Sequence, residues 1–354
     1  MDATNFRKRP VVFYLVPEFT MLAFTSAIEA LRLANNILGF DAYSWRLASE
    51  NGGSVRASCG LSLETDSSVA IERAQLSGML KPSAAFVCAG KNVQDYHSRT
   101  AGAWLRECRH RGVMLGSFCT GTYLLAQAGL LDGRRCTIHW ENFPGFAERF
   151  PTLCVTNGIY EIDGSFLTCA GGTASFDMML HLIGEDFGEA IVNRICEQAL
   201  MERVRGPADR QRLPLPARLG VNNPIILKVV ERMEATLTEP QALPELAASV
   251  GLSRRQIERL FHRELGRSPA RYYLELRLER AHLLLTQSSL PIIEVAIACG
   301  FAAGSHFSKC YREAYGYSPQ QTRATRHSPL QKRERPVVQI MASPDVAELA
   351  DQAA

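Results

Sequence analysis

Short apolar segments alternate with amphipathic stretches over roughly the first two hundred residues. Buried strands are predicted over residues 11–16, 84–89 and 113–118. Helices are predicted over residues 21–36, 101–111 and 122–131, where apolar side chains recur at helical spacing. Strands that alternate with helices favour a parallel sheet covered on both faces. The pattern therefore predicts an α/β domain over residues 9–205.

A different pattern marks the end of this domain. Asp163 and Gly164 form a strong hairpin turn signal between two apolar runs at 159–162 and 166–170. Helices over residues 173–184 and 189–203 are then expected to close the domain.

The rest of the chain divides into three parts. Residues 206–222 are rich in Pro, Gly and Arg and lack periodicity, so we interpret them as a linker. Residues 223–326 carry helical periodicity throughout, which predicts an all-α domain. Residues 327–354 begin with a basic run and end in small and acidic residues, and we expect a disordered tail.

The helical part contains a helix-turn-helix pattern. Ala247 stands where two helices would approach closely, and Gly251 suits a turn with left-handed backbone. Ser253 can cap the second helix, whose inward face would carry Ile257, Leu260 and Phe261. The residues expected to face outward, where a recognition helix meets the major groove, are Ser253, Arg254, Arg255, Gln256 and Arg259.

The same pattern recurs about fifty residues later. Ala296 corresponds to Ala247, and Gly300 corresponds to Gly251. The turn is one residue longer, however, and Ala303 offers no side-chain cap. The inward face would carry Phe307, Cys310 and Tyr311. The outward-facing residues are expected to be Ser305, His306, Lys309 and Arg312. A helix over 269–287 would join the two units.

The charge is distributed unevenly between the two parts. The chain has a net charge of +3. Residues 1–205 carry 19 basic and 21 acidic side chains, whereas residues 206–335 carry 20 and 12. A basic module attached to a near-neutral one is typical of nucleic-acid binding.

Both helix-turn-helix units are followed by Gly-x-Ser-Pro, and the second contains G-F, S-x-F-S-K and Y-G-Y-S-P-Q. With these motifs, residues 223–326 resemble the AraC/XylS family of transcription regulators. The resemblance implies double-stranded DNA bound in two successive major-groove segments, about 10 bp apart. It also implies transcription activation, with RNA polymerase and a second copy of the chain as partners.

The α/β part contains one chemically suggestive turn. Residues 113–133 predict a strand, a sharp turn and a helix, with Cys119 in the turn between Gly116 and Gly121. This is the arrangement of a nucleophile elbow, and the helix dipole would lower the pKa of the thiol. His139 follows twenty residues later, so a Cys–His pair is conceivable.

With this elbow, residues 9–205 resemble the PfpI / class I glutamine amidotransferase-like family, which implies a flavodoxin-like parallel-sheet sandwich. The whole chain resembles the GlxA type of AraC-family regulator. Catalytic members often place His after the elbow cysteine and Glu near the start of the first helix. Here Thr120 and Ala23 take those places. We therefore expect Cys119 to be vestigial and the protein not to be an enzyme.

A ligand pocket is nevertheless expected above the elbow, because open α/β sheets bind ligands at the carboxyl ends of their strands. The candidate ligand-binding residues are Cys119, Thr120, His139, Trp140, Glu141, Gly172 and Thr173. Each also has a purely structural interpretation, such as packing for Trp140. GlxA-type regulators respond to amino acids and to quaternary amines such as betaine and carnitine. By resemblance we expect an effector of that class, with its cation near Trp140 and Glu141.

Two alternatives to a ligand-responsive regulator stay open. One is a thiol hydrolase or glyoxalase-like enzyme with a DNA-binding tail. The other is a redox sensor that uses Cys119, which would require a resolving partner.

The ten cysteines show no zinc-ligand spacing, so neither a metal nor a cofactor is expected. No apolar run approaches the roughly 18–20 residues that a membrane span needs, and we expect a cytoplasmic protein without a membrane partner.

Overall fold

The computed structural model describes residues 8–325, which separate into two compact units between Arg212 and Leu213. The tail predicted at 327–354 lies outside the described residues.

A mostly parallel sheet forms the centre of the first unit. Its seven strands run in the order β10-β11-β7-β6-β1-β2-β5, and β10 is antiparallel to β11. The pairs β3-β4 and β8-β9 stand apart from this sheet. The strands are β1 (Arg9–Leu15), β2 (Tyr43–Ser49), β3 (Gly53–Arg56), β4 (Ser62–Thr65), β5 (Ser67–Ser68), β6 (Ala84–Cys88), β7 (Met114–Phe118), β8 (Arg135–Thr137), β9 (Cys154–Thr156), β10 (Tyr160–Asp163) and β11 (Phe166–Cys169).

Helices cover both faces of this sheet, and each face has its own apolar core. Along β1, Phe13 and Leu15 contribute to one core, while Val12 and Tyr14 contribute to the other. This alternation follows from the two-residue period of a strand. The helices are α1 (Met21–Leu38), α2 (Val69–Gln75), α3 (Arg99–His110), α4 (Thr122–Gln127), α5 (Phe143–Arg149), α6 (Ala174–Phe187) and α7 (Glu189–Gln198). The predicted α/β parallel-sheet class is confirmed.

The second unit is entirely helical among its described residues. It has two apolar cores, and α12 contributes Tyr272 and Tyr273 to the first but Leu278 and Leu285 to the second. That long helix therefore joins the two halves, as predicted. The helices are α8 (Leu215–Leu219), α9 (Pro224–Ala235), α10 (Leu243–Ala248), α11 (Arg254–Leu265), α12 (Pro269–Gln287), α13 (Ile292–Ala298), α14 (Gly304–Tyr315) and α15 (Pro319–Thr325).

The segment predicted as an irregular linker, residues 206–222, differs from that expectation. Residues 206–212 belong to the first unit, which therefore extends past residue 205. They are bonded to it, since the amide of Ile159 donates to the carbonyl of Asp209 at 3.1 Å. Residues Leu215–Leu219 form the short helix α8.

Candidate nucleic-acid interface and ligand cavity

Helix α11 presents one apolar and one polar face. Its inward triad is buried as predicted, and all five predicted outward residues, Ser253, Arg254, Arg255, Gln256 and Arg259, are exposed. Ser253 and Gln256 form a capping box in which Gln256 Oε1 accepts from the amide of Ser253 at 2.8 Å. Two of the five side chains thus also stabilise the start of the helix.

The arginines of α11 differ in their surroundings. The Arg254 Nε donates to Glu258 Oε1 at 3.0 Å, which places an ion pair one turn along the helix. Arg255 and Arg259 have no hydrogen bond or ion pair within residues 8–325. Both guanidinium groups are therefore available to an anionic partner.

Helix α14 repeats the arrangement. Ser305, His306, Lys309 and Arg312 are exposed, and Phe307, Cys310 and Tyr311 are buried. Ala303 is its N-cap residue and provides no side-chain bond, as predicted. His306 differs from the others because its Nε2 lies 3.3 Å from the sulfur of Cys310. Lys309 and Arg312 have no partner in the part of the chain that is described.

Both turns use the left-handed backbone that the sequence indicates. Gly251 has φ 69° and Gly300 has φ 72°. The second turn is also fixed from outside, because Arg277 of α12 donates to the carbonyls of Cys299 at 2.7 Å and Gly300 at 2.8 Å. The orientation of α13 relative to α14 is therefore tied to the long helix.

The predicted elbow is present between β7 and α4. Cys119 has φ 60°, a strained value for a residue with a side chain. Gly121 lies against β6, where an added Cβ would come within 2.2 Å of the Val87 carbonyl oxygen. The Thr120 hydroxyl donates to the carbonyl of Gly90, just past the end of β6, at 2.7 Å.

Cys119 itself is closed off from solvent, with 6% of its surface exposed. Burial raises the pKa of its thiol, and the lowering effects of the Thr20 hydroxyl and of the Thr120 backbone do not offset this. Burial therefore outweighs the lowering contributions at the start of α4, and the thiol pKa lies above its ordinary value, not below it as expected. The side chain that meets the sulfur is Thr20, whose hydroxyl donates at 3.4 Å, whereas Ala23 belongs to the apolar core. Thr20, not Ala23, occupies the place expected for the acid partner.

A cavity of about 210 Å³ opens beside the elbow. It lies where the chain leaves β11 and begins α6, at the strand end expected for a ligand site. The residues that line it are His139, Trp140, Ile159, Ala170, Gly171, Gly172, Thr173, Ala174, Arg205 and Gln211.

Four of the seven candidate ligand residues line this cavity: His139, Trp140, Gly172 and Thr173. Cys119, Thr120 and Glu141 do not belong to its lining. Gly171 separates Cys119 from the space, since an added Cβ on Gly171 would lie 2.7 Å from the Cys119 Cβ. The elbow therefore supports the wall of the cavity without forming it.

Three residues near the cavity were missed from sequence because they lie at or beyond residue 205, the predicted end of the domain. Arg205 forms an ion pair with fully buried Asp177, with 2.6 Å between its Nη2 and Oδ2, and also donates to the Thr173 hydroxyl at 2.7 Å. Gln211 lines the cavity directly. The Arg212 guanidinium lies 4.7 Å from the centre of the Trp140 ring. The basic character of this segment was visible, but its return to the sheet domain was not.

This lining combines two kinds of attraction. The start of α6 has no side-chain cap and favours a carboxylate. Arg205 is already paired with Asp177 through its Nε and Nη2, so it adds only its remaining Nη1 as a donor. The Trp140 ring favours a cation, and Arg212 already lies over it.

Among residues 8–325, no helix is long and apolar enough to cross a membrane. The same residues contain no group of three or more His, Cys, Asp or Glu side chains placed to hold a metal ion.

An α/β domain with a small cavity, joined to two helix-turn-helix units with exposed basic side chains, defines a DNA-binding transcription regulator. The comparisons with known proteins agree with this class. The DJ-1/PfpI family matches residues 9–185, and a helix-turn-helix domain family matches residues 246–325.

Three regulators match across nearly the whole chain. The HTH-type transcriptional regulator GbdR of Pseudomonas aeruginosa (strain UCBPP-PA14) is 42% identical over 90% of this chain and 85% of its own length. CdhR of Pseudomonas aeruginosa (strain PAO1) is 41% identical over 88% and 90%. GlxA of Rhizobium meliloti (strain 1021) is 35% identical over 90% and 96%. This chain belongs to the AraC-type transcriptional regulators that carry a DJ-1/PfpI domain.

Proposed function

We propose that this regulator is a ligand-responsive activator that binds DNA through α11 and α14 and binds a small nitrogen metabolite in the cavity beside Trp140. The observation that carries the proposal is the repeated placement of exposed cations, two on each helix without a partner among residues 8–325, over two matching buried triads.

The DNA-binding step follows from the side chains of these faces. Arg255 and Arg259 on α11, and Lys309 and Arg312 on α14, are exposed and unpaired within the described residues. Arginine can bind a guanine edge with two hydrogen bonds, whereas a phosphate contact adds affinity that depends on salt. We assign α11 and α14 to successive major-groove segments about 10 bp apart.

The effector step follows from the cavity. Its volume of about 210 Å³ lies below the roughly 300–1,000 Å³ of drug-sized ligand sites, which suits a small metabolite. Arg205 and the start of α6 would receive a carboxylate, and Trp140 would receive a cation. An amino acid, betaine or carnitine carries both groups. Glu141 is no longer assigned to the cation, because it does not line the cavity.

We propose that the α/β domain binds its ligand without turning it over. An activated thiol needs exposure and a base or acid partner, but Cys119 is buried, its pKa is raised and its sulfur faces the Thr20 hydroxyl. The same burial disfavours a redox sensor, which needs an accessible thiol of low pKa. The remaining parts of the proposal come from the family resemblance: a homodimer that recruits RNA polymerase in the cytoplasm.

Two single substitutions, one in each module, test whether DNA binding and effector binding are separate. Binding of a labelled fragment of the chain's own promoter region is measured by fluorescence anisotropy, with and without betaine, carnitine and a panel of amino acids. Arg255→Ala should weaken DNA binding and leave effector binding, measured by calorimetry, unchanged. Trp140→Ala should abolish effector binding and the effector-dependent change in DNA binding, while the protein still binds the fragment. Equal loss of both properties in either variant, or no binding of any panel member to the parent protein, would contradict the proposal.

A further inference from the structure

Residues 205–212, which we call the strap, lie against the first unit just before the chain enters the second. The amide of Ile159 donates to the strap carbonyl of Asp209 at 3.1 Å, and Gly158 forms a backbone bridge with Arg210. Gly158 also fits closely under the strap, since an added Cβ would lie 2.2 Å from the Pro207 carbonyl oxygen. The strap thus packs at a defined position against the sheet domain, beside the cavity.

The strap contributes side chains to the cavity and to its aromatic wall. Arg205 and Gln211 line the cavity. Arg212 places its guanidinium 4.7 Å from the centre of the Trp140 ring, within the usual range of a cation–π contact. Trp140 lines the cavity as well. The ring that suits the cation of an effector therefore already binds a cation supplied by the chain.

The side-chain amide of Gln211, in the strap, forms hydrogen bonds with residues 8–325 through only one of its two polar atoms. The Gln211 Nε2 donates to the carbonyls of Ile138 at 3.0 Å and Gly158 at 2.9 Å, which fixes the orientation of its amide. Its Oε1 is buried and has no hydrogen-bond partner among residues 8–325. A buried acceptor without a donor destabilises the arrangement that contains it. The seated strap therefore depends on its other contacts, including the one between Arg212 and Trp140.

We infer that Arg212 is an internal competitor of the effector: an effector cation takes its place on Trp140 and thereby releases the strap. This inference rests on the proposed function and specifies how the cavity selects among ligands. A ligand with a carboxylate but no cation could not replace the guanidinium on the ring. Since Arg212 is followed directly by Leu213, the first residue of the second unit, release of the strap alters the segment that tethers the DNA-binding helices.

The experiment uses hydrogen–deuterium exchange of the full chain, followed in peptides that cover residues 206–212. The variants are Arg212→Ala, Trp140→Ala, their combination and the control Arg210→Ala. Arg210 is an exposed strap arginine whose side chain has no partner among the described residues, so this control removes the same charge two residues away. The probes are glycine betaine and its uncharged-head analogue 3,3-dimethylbutanoate, which keeps the shape and the carboxylate but lacks the cation.

Arg212→Ala should accelerate strap exchange by about 2- to 30-fold without any ligand, which corresponds to loss of a cation–π contact. Trp140→Ala should also accelerate strap exchange, and the combined variant should accelerate it by less than the product of the two single effects, because both substitutions remove the contact between Arg212 and Trp140. Arg210→Ala should exchange at the parent rate. Glycine betaine should accelerate strap exchange in the parent protein, and 3,3-dimethylbutanoate should not. Arg212→Ala should bind glycine betaine about 2- to 30-fold more tightly.

Parent-like strap exchange in Arg212→Ala would overturn the inference, as would weaker binding of glycine betaine by that variant. The proposed function fails separately if no panel member binds the parent protein. In that case the exchange of Arg212→Ala and Trp140→Ala still decides whether their contact holds the strap.

Discussion

The turn glycines of the two helix-turn-helices permit a matched test, in which each is replaced by alanine and the effects on stability are compared. Gly251 and Gly300 share a left-handed backbone, but an added Cβ meets nothing within 4 Å at Gly251. At Gly300 it would lie 2.5 Å from the Pro240 ring and 2.9 Å from the Leu237 carbonyl oxygen. Alanine at either position would adopt the left-handed conformation at a cost of about 1–2 kcal/mol. At Gly300 an overpacking penalty of about 1–3 kcal/mol is added, since backbone and a proline ring cannot move aside easily.

We therefore expect Gly300→Ala to destabilise the second helix-turn-helix by about 2–5 kcal/mol and Gly251→Ala to destabilise the first by about 1–2 kcal/mol. Hydrogen exchange measures both effects: peptides from α13 and α14 should exchange about 30-fold faster or more in Gly300→Ala, and peptides from α10 and α11 about 5- to 30-fold faster in Gly251→Ala. The three tryptophans, Trp45, Trp104 and Trp140, all lie in the first unit, so their fluorescence in urea serves as a control that should not change. Equal acceleration in the two variants would refute the steric reasoning.

Three other predictions concern DNA contacts, a helix cap and the buried thiol. Arg259→Ala should weaken binding to the preferred DNA about 5- to 150-fold if the side chain reads a guanine, as anisotropy would show. If it binds a phosphate, the loss should be uniform across sequences and the salt dependence should fall by about one unit. Ala303→Ser should stabilise α14 by about 1 kcal/mol in urea unfolding, because it adds the missing cap. Iodoacetamide should label exposed Cys59 well before Cys119, and labelling of Cys119 should stay slow until the pH exceeds the usual thiol pKa.

Each of these has a control and a contradicting result. Arg194→Ala removes an exposed arginine from the first unit and should leave DNA affinity unchanged, so a comparable loss there would indicate a mere charge effect. Ala302→Ser lies one residue before the cap and should not stabilise α14. A similar gain from both serine variants would disprove the capping argument. Rapid labelling of Cys119 at pH 7, detected by peptide mass spectrometry, would contradict its burial and raised pKa.

Strands β1 and β6, which are buried on both faces, could be predicted from sequence because all their buried positions are apolar. The strand β6 is buried at all five positions, and β1 over its last five. The strand β2 was missed because it is only partly buried and contains Arg46, whose charge is balanced by fully buried Glu72 at 2.7 Å. That pairing joins residues far apart in sequence, so no local pattern indicates it. The short strands β3 and β4 were also missed, because they are largely exposed and most of their residues are not apolar.

The helix-turn-helix faces could be predicted residue by residue because helical periodicity determines which side chains point outward. The cavity could be predicted only in part. Trp140 and Thr173 lie three and four residues after the ends of β8 and β11, so strand topology indicates their position. Arg205, Gln211 and Arg212 reach the cavity because the chain turns back after α7, and that path depends on tertiary contacts such as the one between Arg205 and Asp177. A Pro- and Arg-rich segment without periodicity carries no signal of such a return.

Footprinting of the protein on its own promoter region, with and without betaine, carnitine and the amino-acid panel, tests the central claim most directly. The account predicts two protected major-groove segments about 10 bp apart, whose protection changes when one member of the panel is added. Loss of one segment in Arg255→Ala and of the other in Lys309→Ala would assign each helix to its groove. Protection of a single segment, or no sequence preference at any ionic strength with or without the panel, would contradict it.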